Sequence, residues 1–334
     1  IPQLNNSSVL PTIPQFQGKP IYLQAMNSPD LSIVVPVFQS APTIQALFDQ
    51  LVRSLDSHQL SFELILIDDG STDQSWAVIS QLSSQNPLVK GVRFSRNFGQ
   101  HYAITAGCRM ALGKHIVVMD ADLQDDPSEI PNLYQKAKEG FEVVLASRTR
   151  RQDGLLNQLS SRLFFKILSY LTGSHFDASV GNFGLYSRKV IQEFNRLDEP
   201  VRIFSVMINW LGFPTAKIPV PHQARTLGKS TYTFSKRLNL ALDIMLAYSD
   251  KPLRLMVKAG LSLAALSFLF GLITLIRYFL GQITVLGYSS LMVSLAFFSG
   301  ILAAMLGLVG LYIGKIFEGV KNRPLFIISE TTYD

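Results

Sequence analysis

The sequence predicts a doubly wound α/β domain with a mostly parallel, Rossmann-like sheet, followed by a hairpin of two transmembrane helices. The first observation is that short β-branched runs alternate with helical segments in the first half of the chain, which is typical of parallel strands joined by helical crossovers. The second is that residues 259–314 form a stretch of 56 residues whose only Lys, Arg, Asp or Glu is Arg277. The 334 residues suffice for about two domains of ~150 residues each.

The first four elements alternate between strand and helix. Leu31–Val37 is a short run of apolar and β-branched residues, which predicts a buried strand. Residues 46–55 place apolar side chains at helical spacing and predict a helix. Phe62–Ile67 predicts a second strand. Apolar residues at helical spacing then predict a second helix, for which Ser71 or Thr72 can supply the N-cap.

The next five elements continue the alternation. Leu88–Phe94 and His115–Met119 are apolar runs that predict the third and fourth strands, and Glu142–Ala146 predicts a fifth. Residues 102–112 and 131–139 are the expected helices between them. In such sheets, ligands bind beyond the carboxyl ends of the strands, so the residues that follow these strands are the candidates for a site.

Two apolar stretches, Val257–Leu280 and Val285–Gly314, are each longer than the ~20 residues that a transmembrane helix needs. A buried helical hairpin in a soluble protein is the alternative, which the length and apolar character of the pair disfavour. Lysine and arginine flank the two stretches, whereas the connecting loop 281–284 has no charge. The positive-inside rule therefore predicts that both termini and the whole α/β domain are cytoplasmic.

The predicted organisation has five parts. Residues 235–249 repeat apolar residues along one helical face, which fits an ordinary core helix or, just before the first span, a helix lying in the membrane interface. The parts are a polar N-terminal arm at 1–30, the α/β domain at 31–234, an interfacial amphipathic helix at 235–255, two transmembrane helices at 256–314 and a cytoplasmic tail at 315–334.

Charge and cysteine content exclude some classes of function. The net charge of +6 comes from 30 basic and 24 acidic residues, but the basic residues form no aromatic-studded stripe and no zinc-finger spacing, so nucleic acid is a poor candidate partner. A membrane surface or a phosphorylated ligand explains the excess better. Cys108 is the single cysteine, which excludes an internal disulfide framework and a cysteine-based zinc site.

Acidic residues follow two of the predicted strands. Asp120-Ala121-Asp122 leaves the fourth strand, and two carboxylates spaced this way in a turn can approach one hard cation, with Gln124 adding an oxygen ligand. The turn predicts a Mg²⁺ or Mn²⁺ site that keeps positions open for substrate phosphates. Asp68, at the end of the second strand, either caps the next helix or accepts hydrogen bonds from a base or ribose.

Further charged residues are expected near the same edge. Asp126 can cap the helix that follows it, which leaves Asp125 to face the reacting centre. Arg148 lies at the end of the fifth strand and is placed to bind a phosphate. Arg225 and Lys229 flank a glycine in a segment that fits a flexible lid closing on phosphates better than a P-loop.

Six motifs occur in order along the chain. They are IVVPVF at 33–38, LIDDGSTD at 66–73, SRNFGQ at 95–100, DADLQDDP at 120–127, ASR at 146–148 and RTLGKSTY at 225–232. Together they resemble family 2 glycosyltransferases, and within that family the polyprenyl-phosphate glycosyltransferases, which include dolichol-phosphate mannose synthase and the bactoprenol glucosyltransferases. The trailing pair of membrane spans is similar to the bactoprenol group.

The resemblance implies a GT-A fold and an inverting transfer of a sugar from a nucleotide-sugar to a membrane polyprenyl phosphate. One departure is that many relatives have Asn-Glu where this sequence has Gln39-Ser40, so the family's ribose contact is not matched. The implied roles are nucleotide contacts for Pro36, Asp68 and Asp120, metal binding for Asp122 and Gln124, closure over the donor phosphates for Arg225 and Lys229, acceptor-phosphate binding for Arg148 and Arg162, and a base or acceptor-orienting role for Asp125.

The bactoprenol resemblance implies UDP-glucose and undecaprenyl phosphate as substrates, in a bacterial-type plasma membrane. GDP-mannose, UDP-N-acetylglucosamine and aminoarabinose donors are alternatives. A processive polysaccharide synthase should carry a Gln-x-x-Arg-Trp motif, and neither Trp76 nor Trp210 follows an arginine. A non-catalytic, membrane-tethered nucleotide sensor is a different alternative, which the intact motifs disfavour. Small residues in the second span, at positions 300, 303, 304 and 307, allow association into a homo-oligomer.

Overall fold

The structure is a computed structural model that describes residues 28–148, 180–220, 249–281 and 287–333. The predicted N-terminal arm through residue 27 and the amphipathic segment through residue 248 lie outside the described residues. The strands are β1 (Leu31–Val37), β2 (Phe62–Asp68), β3 (Val89–Phe94), β4 (His115–Val118), β5 (Val143–Arg148), β6 (Val180–Ser187), β7 (Thr215–Val220) and β8 (Ile328–Thr331).

Helices separate most of these strands along the chain. They are α1 (Ala41–Asp56), α2 (Ser75–Gln85), α3 (Gln100–Met110), α4 (Ile130–Ala137), α5 (Arg188–Arg196), α6 (Phe204–Trp210), α7 (Lys251–Phe279) and α8 (Tyr288–Val320), and a short 3₁₀ turn covers Pro127–Glu129. The five predicted strands and four predicted helices of the α/β domain are all present. The expected N-cap at Ser71 or Thr72 is wrong, because α2 begins at Ser75, whose N–H donates to Oδ1 of Asp73 at 3.0 Å.

The strands form one sheet in the order β7-β5-β6-β4-β1-β2-β3-β8. β4, β1, β2 and β3 are mutually parallel where they pair. β6 runs antiparallel to both β4 and β5, and β5 runs parallel to β7, so β5 and β7 point the same way as the central four strands. The carboxyl ends of six strands therefore meet at one edge of the sheet. The predicted α/β class with a mostly parallel sheet is confirmed.

The central strands are apolar along their whole length because helices cover both faces of the sheet. Every residue of β1 and β2 is buried. Alternate side chains such as Ile33 and Val35 belong to a core shared with α1, α2 and α4, whereas Val34 belongs to a second core shared with α3, α5 and α6. Two-sided burial explains why the strands appear in the sequence as unbroken apolar runs.

α7 and α8 carry the two stretches predicted to span a membrane. Both helices are long and apolar enough to cross one, over Lys251–Thr274 and Phe297–Val320, with mean hydropathies of 1.9 and 2.0. Neither stretch is buried inside the protein, which does not fit the buried hairpin of a soluble domain. α8 continues past the predicted end at Gly314 to Val320.

The chain returns to the sheet after the apolar helices. β8 pairs antiparallel with β3, with Glu330 opposite Arg93 and Thr331 opposite Val92. Phe326 stacks on Phe94 with ring centroids 5.0 Å apart. Part of the predicted C-terminal tail is therefore the edge strand of the α/β domain, so the chain contributes a further strand to that domain after α7 and α8.

Candidate active site

At the carboxyl edge of the sheet, the ends of β1 and β4 border a position that is called the crevice below. β1 pairs with β4 only as far as Val34 opposite Val118, but with β2 as far as Val37 opposite Asp68. The pairing of β1 with β4 ends at Val34 because β4 ends at Val118. β1 connects onward to β2 on one side and has β4 on the other, so this is the topological switch point at which ligands bind in open α/β sheets.

Pro36 lies in the part of β1 that borders this crevice. It is buried and stands opposite Ile67 of β2, two residues past the last β1–β4 pair. A proline in a central strand removes a ladder hydrogen bond, but here the β1–β4 ladder has already ended. The structure thus places Pro36 at the crevice, as the nucleotide assignment requires, and the assignment itself stays a prediction.

The acidic turn, residues 120–125, follows β4 on the other side of the crevice. Oδ2 of Asp125 accepts the N–H of Asp120 at 3.2 Å, and Oδ1 of Asp122 accepts the N–H of Gln124 at 3.2 Å. Leu123 has a φ of 62°, a left-handed conformation that costs energy in a residue with a branched side chain and is retained where the surroundings fix it. The backbone of the acidic turn is therefore held in one shape.

The composition of the acidic turn fits a hard divalent cation. Asp120, Asp122 and Gln124 are half-buried and present carboxylate and amide oxygens, the ligand types that Mg²⁺ and Mn²⁺ prefer. Among the described residues, no group of three or more His, Cys, Asp or Glu side chains is placed to hold a metal. The metal assignment of Asp122 and Gln124 stays a prediction.

Asp125 and Asp126 differ in their surroundings. Asp125 is buried, and its carboxylate braces the acidic turn through the N–H of Asp120. Asp126 caps the 3₁₀ turn, because its Oδ1 accepts the N–H of Ser128 at 2.9 Å. The predicted capping role of Asp126 is confirmed, with the cap on a 3₁₀ turn that leads into α4.

Gln100, which the sequence did not single out, contacts the acidic turn directly. It is the first residue of α3, and its Nε2 donates to Oδ1 of Asp120 at 2.7 Å. The only sequence signal is its position at the end of the SRNFGQ motif, which precedes α3. The start of α3 is therefore part of the site.

Asp69 fixes the loop that leads into α3. Its carboxylate accepts the N–H groups of Phe98 at 2.7 Å and Gly99 at 2.9 Å. Burial raises the pKa of Asp69, and the two backbone hydrogen bonds oppose that change. Gly70 has a φ of 67°, and a Cβ there would lie 2.4 Å from the carbonyl carbon of Arg96, so only glycine allows the loop to approach this closely.

Asp68 has no exposed surface in the described structure. Its Oδ1 accepts the N–H of Ser71 at 3.0 Å, a contact within the turn after β2, so the alternative that Asp68 caps the next helix is wrong because α2 begins at Ser75. Its Oδ2 is buried and has no hydrogen-bond partner within the described ranges, although Nε of Arg93 lies 3.5 Å away. One acceptor atom at the end of β2 is therefore available to a donor from a ligand.

Phe38 and Gln39 form the rim of the crevice beyond β1. The side chain of Phe38 is 47% exposed, unusual for a phenylalanine directly after a buried strand. Gln39 has a φ of 49°, its N–H donates to Oγ of Ser71, and its Nε2 lies 3.3 Å from Oγ1 of Thr72. Gln39 thus ties the rim to the turn after β2.

The predicted phosphate-binding residues are only partly described. Arg148 is the last residue of β5 and stands opposite Val220, the last residue of β7, so both strands end at the edge that carries the acidic turn. Arg162, Arg225 and Lys229 lie outside the described residues. The segments that contain them, 149–179 and 221–248, begin where β5 and β7 end.

The end of α8 lies near the start of α3. The hydroxyl of Tyr102, in the first turn of α3, donates to the carbonyl oxygen of Pro200 at 2.9 Å. Burial raises the pKa of Tyr102, and Lys315 and Glu318 of α8 are close enough to act on it electrostatically. A Cβ on Gly319, near the end of α8, would lie 3.8 Å from Cγ of Pro200, so the end of α8 and the first turn of α3 both contact Pro200.

Comparisons with known proteins agree with the motifs. The Glycosyl transferase family 2 model matches residues 32–194. The chain is 37% identical to an uncharacterized glycosyltransferase of Bacillus subtilis (90% of this chain, 93% of that one), 34% identical to a bactoprenol glucosyl transferase of Shigella flexneri (90% and 98%), and 35% identical to an undecaprenyl-phosphate 4-deoxy-4-formamido-L-arabinose transferase of Shewanella sediminis (90% and 92%). Among solved structures, it is similar to a glucosyl-3-phosphoglycerate synthase of Mycobacterium tuberculosis, with 18% identity, a TM-score of 0.47 and coverage of 66% of this chain and 79% of that one.

Proposed function

The chain belongs to glycosyltransferase family 2, and on that basis we propose that it transfers a sugar from a nucleotide-sugar to the phosphate of a membrane polyprenyl phosphate. Its α/β domain has the GT-A fold of the family. Two relatives, which this chain matches over nearly their whole length, are named for transfer to bactoprenol or undecaprenyl phosphate. The observation that carries the proposal is the acidic turn at the switch point, held by Asp125 and by Gln100 of α3.

The proposed donor is UDP-glucose. The support is the similarity to bactoprenol glucosyl transferases. The similarity to a 4-deoxy-4-formamido-L-arabinose transferase keeps an aminoarabinose donor as the principal alternative. Phe38, exposed at the rim, offers a flat apolar face on which the nucleobase can stack, and Oδ2 of Asp68, which accepts no hydrogen bond within the described residues, offers an acceptor for a base N–H.

The proposed cofactor is Mg²⁺ or Mn²⁺, with Asp122 and Gln124 as protein ligands and the donor diphosphate completing the coordination. When bound, the ion neutralises the charge that develops on the leaving diphosphate. Asp120 faces the nucleotide in this proposal. Gln100 donates a hydrogen bond to the side chain of Asp120, and Asp125 accepts one from its backbone N–H. The position of Asp120 is therefore fixed before the donor binds.

The acceptor needs little help from a base. A phosphate monoester oxygen is already anionic at neutral pH, so the chief requirement is to place it behind the anomeric carbon. We assign that task to Arg148 and Arg162, and we assign Arg225 and Lys229 to the donor phosphates. Asp125 then orients the acceptor or takes a proton late in the reaction, and its buried contact with the acidic turn supports the orienting role.

The proposed location is a bacterial-type plasma membrane with the domain in the cytoplasm. Two observations support it. The chain leaves the sheet after β7 and returns to it at β8, so both ends of the helix pair lie on the side of the catalytic domain. Lys and Arg flank those ends, and the loop between the helices has no charge. Association through the small residues of α8 remains a further prediction.

The test is an assay of the purified full-length protein with undecaprenyl phosphate and a panel of nucleotide-sugars. We expect the labelled sugar to appear in the lipid fraction with UDP-glucose, in the presence of Mg²⁺ or Mn²⁺. Transfer from a different donor would replace the sugar assignment and keep the reaction class. Binding of a nucleotide without any transfer would favour the membrane-tethered nucleotide sensor.

A further inference from the structure

A row of charged side chains crosses three neighbouring strands at the carboxyl edge. Asp68 of β2 stands opposite Arg93 of β3, and Arg93 stands opposite Glu330 of β8. Nε of Arg93 lies 3.5 Å from Oδ2 of Asp68, and Nη1 of Arg93 donates to Oε1 of Glu330 at 2.8 Å. One guanidinium therefore links the buried carboxylate at the candidate active site to the strand that follows the membrane helices.

Glu330 is itself held on its other oxygen. Nε1 of Trp76, in the first turn of α2, donates to Oε2 of Glu330 at 2.9 Å, and the guanidinium of Arg93 lies 5.9 Å from the centre of the Trp76 ring. The planar fork of an arginine can serve two carboxylates at once, which the single ammonium of a lysine cannot do in the same geometry. Glu330 and Trp76 thus fix the side of Arg93 that faces away from Asp68.

The carboxylate of Asp68 depends on this ion pair more than that of Glu330 does, because Asp68 is the more deeply buried of the two. It is completely buried, and a buried carboxylate is costly unless an opposite charge and hydrogen bonds compensate for the lost water. Ser71 satisfies Oδ1, and Oδ2 faces Arg93 at a distance too long for a hydrogen bond. The charge of Arg93 therefore stabilises one orientation of the Asp68 carboxylate. Because Oδ2 accepts no hydrogen bond from Arg93, it can still accept one from a ligand.

We propose that Arg93 and Glu330 are positioning residues for the donor site: Glu330 of β8 orients Arg93, and Arg93 fixes the orientation of the Asp68 carboxylate, which contacts the nucleoside of the donor. The inference rests on the proposed function, which assigns Asp68 to the nucleotide. It makes the segment after the membrane helices a part of the donor site, which the motifs, all upstream of residue 233, do not indicate.

The attachment of β8 does not depend on Glu330 alone, which makes the proposal testable. Oγ1 of Thr332 accepts the N–H of Gly91 at 2.8 Å and lies 2.7 Å from Oγ of Ser83, and Phe326 stacks on Phe94. Glu330→Gln removes one charge and leaves these contacts in place. Thr332→Val weakens the attachment of the same segment without touching Arg93, so it is the matched control.

A second control uses the other ion pair between β2 and β3. Nζ of Lys90 lies 2.7 Å from Oε2 of Glu63, at the opposite end of the same two strands. Lys90→Met removes a cross-strand ion pair of the same kind away from the carboxyl edge. Both controls are expected to leave nucleotide binding unchanged.

The experiment uses full-length protein in detergent, with UDP binding measured by calorimetry and transfer measured against both substrates. We expect Glu330→Gln to raise the Kd for UDP and the KM for the nucleotide-sugar about three- to fivefold, as for a partly exposed ion pair, with kcat and the KM for polyprenyl phosphate unchanged. Arg93→Gln should raise both donor constants about tenfold. Equal effects of Glu330→Gln and Thr332→Val would overturn the proposal, because they would show that β8 acts only by docking.

A double-mutant cycle identifies the residue through which Glu330 acts. We expect Glu330→Gln to have no further effect on UDP binding in an Asp68→Asn background, since the residue that it positions is already altered. Additive effects would overturn the inference and leave the nucleotide role of Asp68 in place. Normal UDP binding by Asp68→Asn alone would overturn both the nucleotide role of Asp68 and the inference.

Discussion

Gln100 and Asp120 are separated by 20 residues in the chain and joined by a hydrogen bond of 2.7 Å from the amide of one to the carboxylate of the other. The bond connects the first turn of α3 to the acidic turn after β4. Asp69, directly after β2, accepts two backbone hydrogen bonds from the loop before α3 and so fixes the position at which Gln100 begins the helix. The three residues form one support for the turn that we assign to the donor diphosphate.

Gln100→Ala should lower kcat/KM for the nucleotide-sugar about tenfold, because a hydrogen bond to a charged group contributes ~1.5 kcal/mol or more. Gln100 is exposed, so the thermal stability of the protein should change little. Gln45→Ala is the matched control, since Gln45 makes a similar bond of 2.9 Å to Asp49 on α1, away from the crevice. Equal activity of the two variants would contradict the assignment of Gln100 to the site.

Asp122→Asn should nearly abolish transfer, and the unaltered protein should lose activity in a chelator and regain it with Mg²⁺ or Mn²⁺. The reason is that the carboxylate supplies charge as well as an oxygen to the cation. Asp126→Asn, which alters the neighbouring cap and not the proposed ligands, should keep most activity. Full activity of Asp122→Asn in chelator would exclude the metal assignment.

Arg148→Ala and Arg162→Ala should each weaken the use of polyprenyl phosphate about tenfold to a hundredfold, because each charge-assisted contact contributes ~1.5–3 kcal/mol. Binding of UDP should stay near normal. The measurement is KM for the lipid alongside Kd for UDP. Loss of UDP affinity with unchanged acceptor kinetics would move both arginines to the donor site.

The membrane topology can be read from cysteine labelling. Cys108 is buried, and burial raises the pKa of its thiol, so it should react poorly with an impermeant thiol reagent in the folded protein. In intact cells we expect labelling of Gln282→Cys, in the loop between the spans, and no labelling of Leu227→Cys. Labelling at position 227 without permeabilisation would place the catalytic domain outside the cell.

His101 should make stability depend on pH. Burial lowers the pKa of His101 from 6.5 to about 4, and its ring nitrogen Nδ1 accepts the N–H of Phe204. The unfolded chain therefore binds the proton first, and stability falls as the pH drops from about 6.5 to about 4, by up to ~3 kcal/mol. Unfolding of His101→Gln, with the exposed His58→Gln as control, should lose this dependence; an unchanged slope would show that His101 does not titrate in that range.

The strands that sequence reasoning found are those with both faces covered. β1 to β5 are apolar runs because helices pack on each side of them. β6 was not predicted because Gly181 and Gly184 interrupt its apolar residues, and β8 was not predicted because every residue in it is exposed at an edge. Periodicity carries little signal for such strands, since their partners and not their composition define them.

In the candidate site, too, local features could be predicted from the sequence, whereas contacts between distant residues could not. The acidic turn was predictable because a strand end and two carboxylates are local features of the sequence. The contacts of Gln100 with Asp120 and of Asp69 with Phe98 join residues 20 and 29 positions apart, and no local pattern encodes them. The Asp68–Arg93–Glu330 row depends on strand order, which places residues 68 and 330 on either side of the same arginine.

The position of β8 in the chain also orders the events of synthesis. β3 has β2 on one side, and its other edge stays open until the ribosome has produced α7, α8 and residues 328–331. An open edge strand is a site for wrong pairing with other chains. Because domains begin to fold from the amino-terminal side as they emerge, the nascent sheet is closed only after the membrane hairpin has been made. The outer edge of β3 therefore stays unpaired until both long helices have been synthesised, and completion of the sheet is one of the last steps in making the domain.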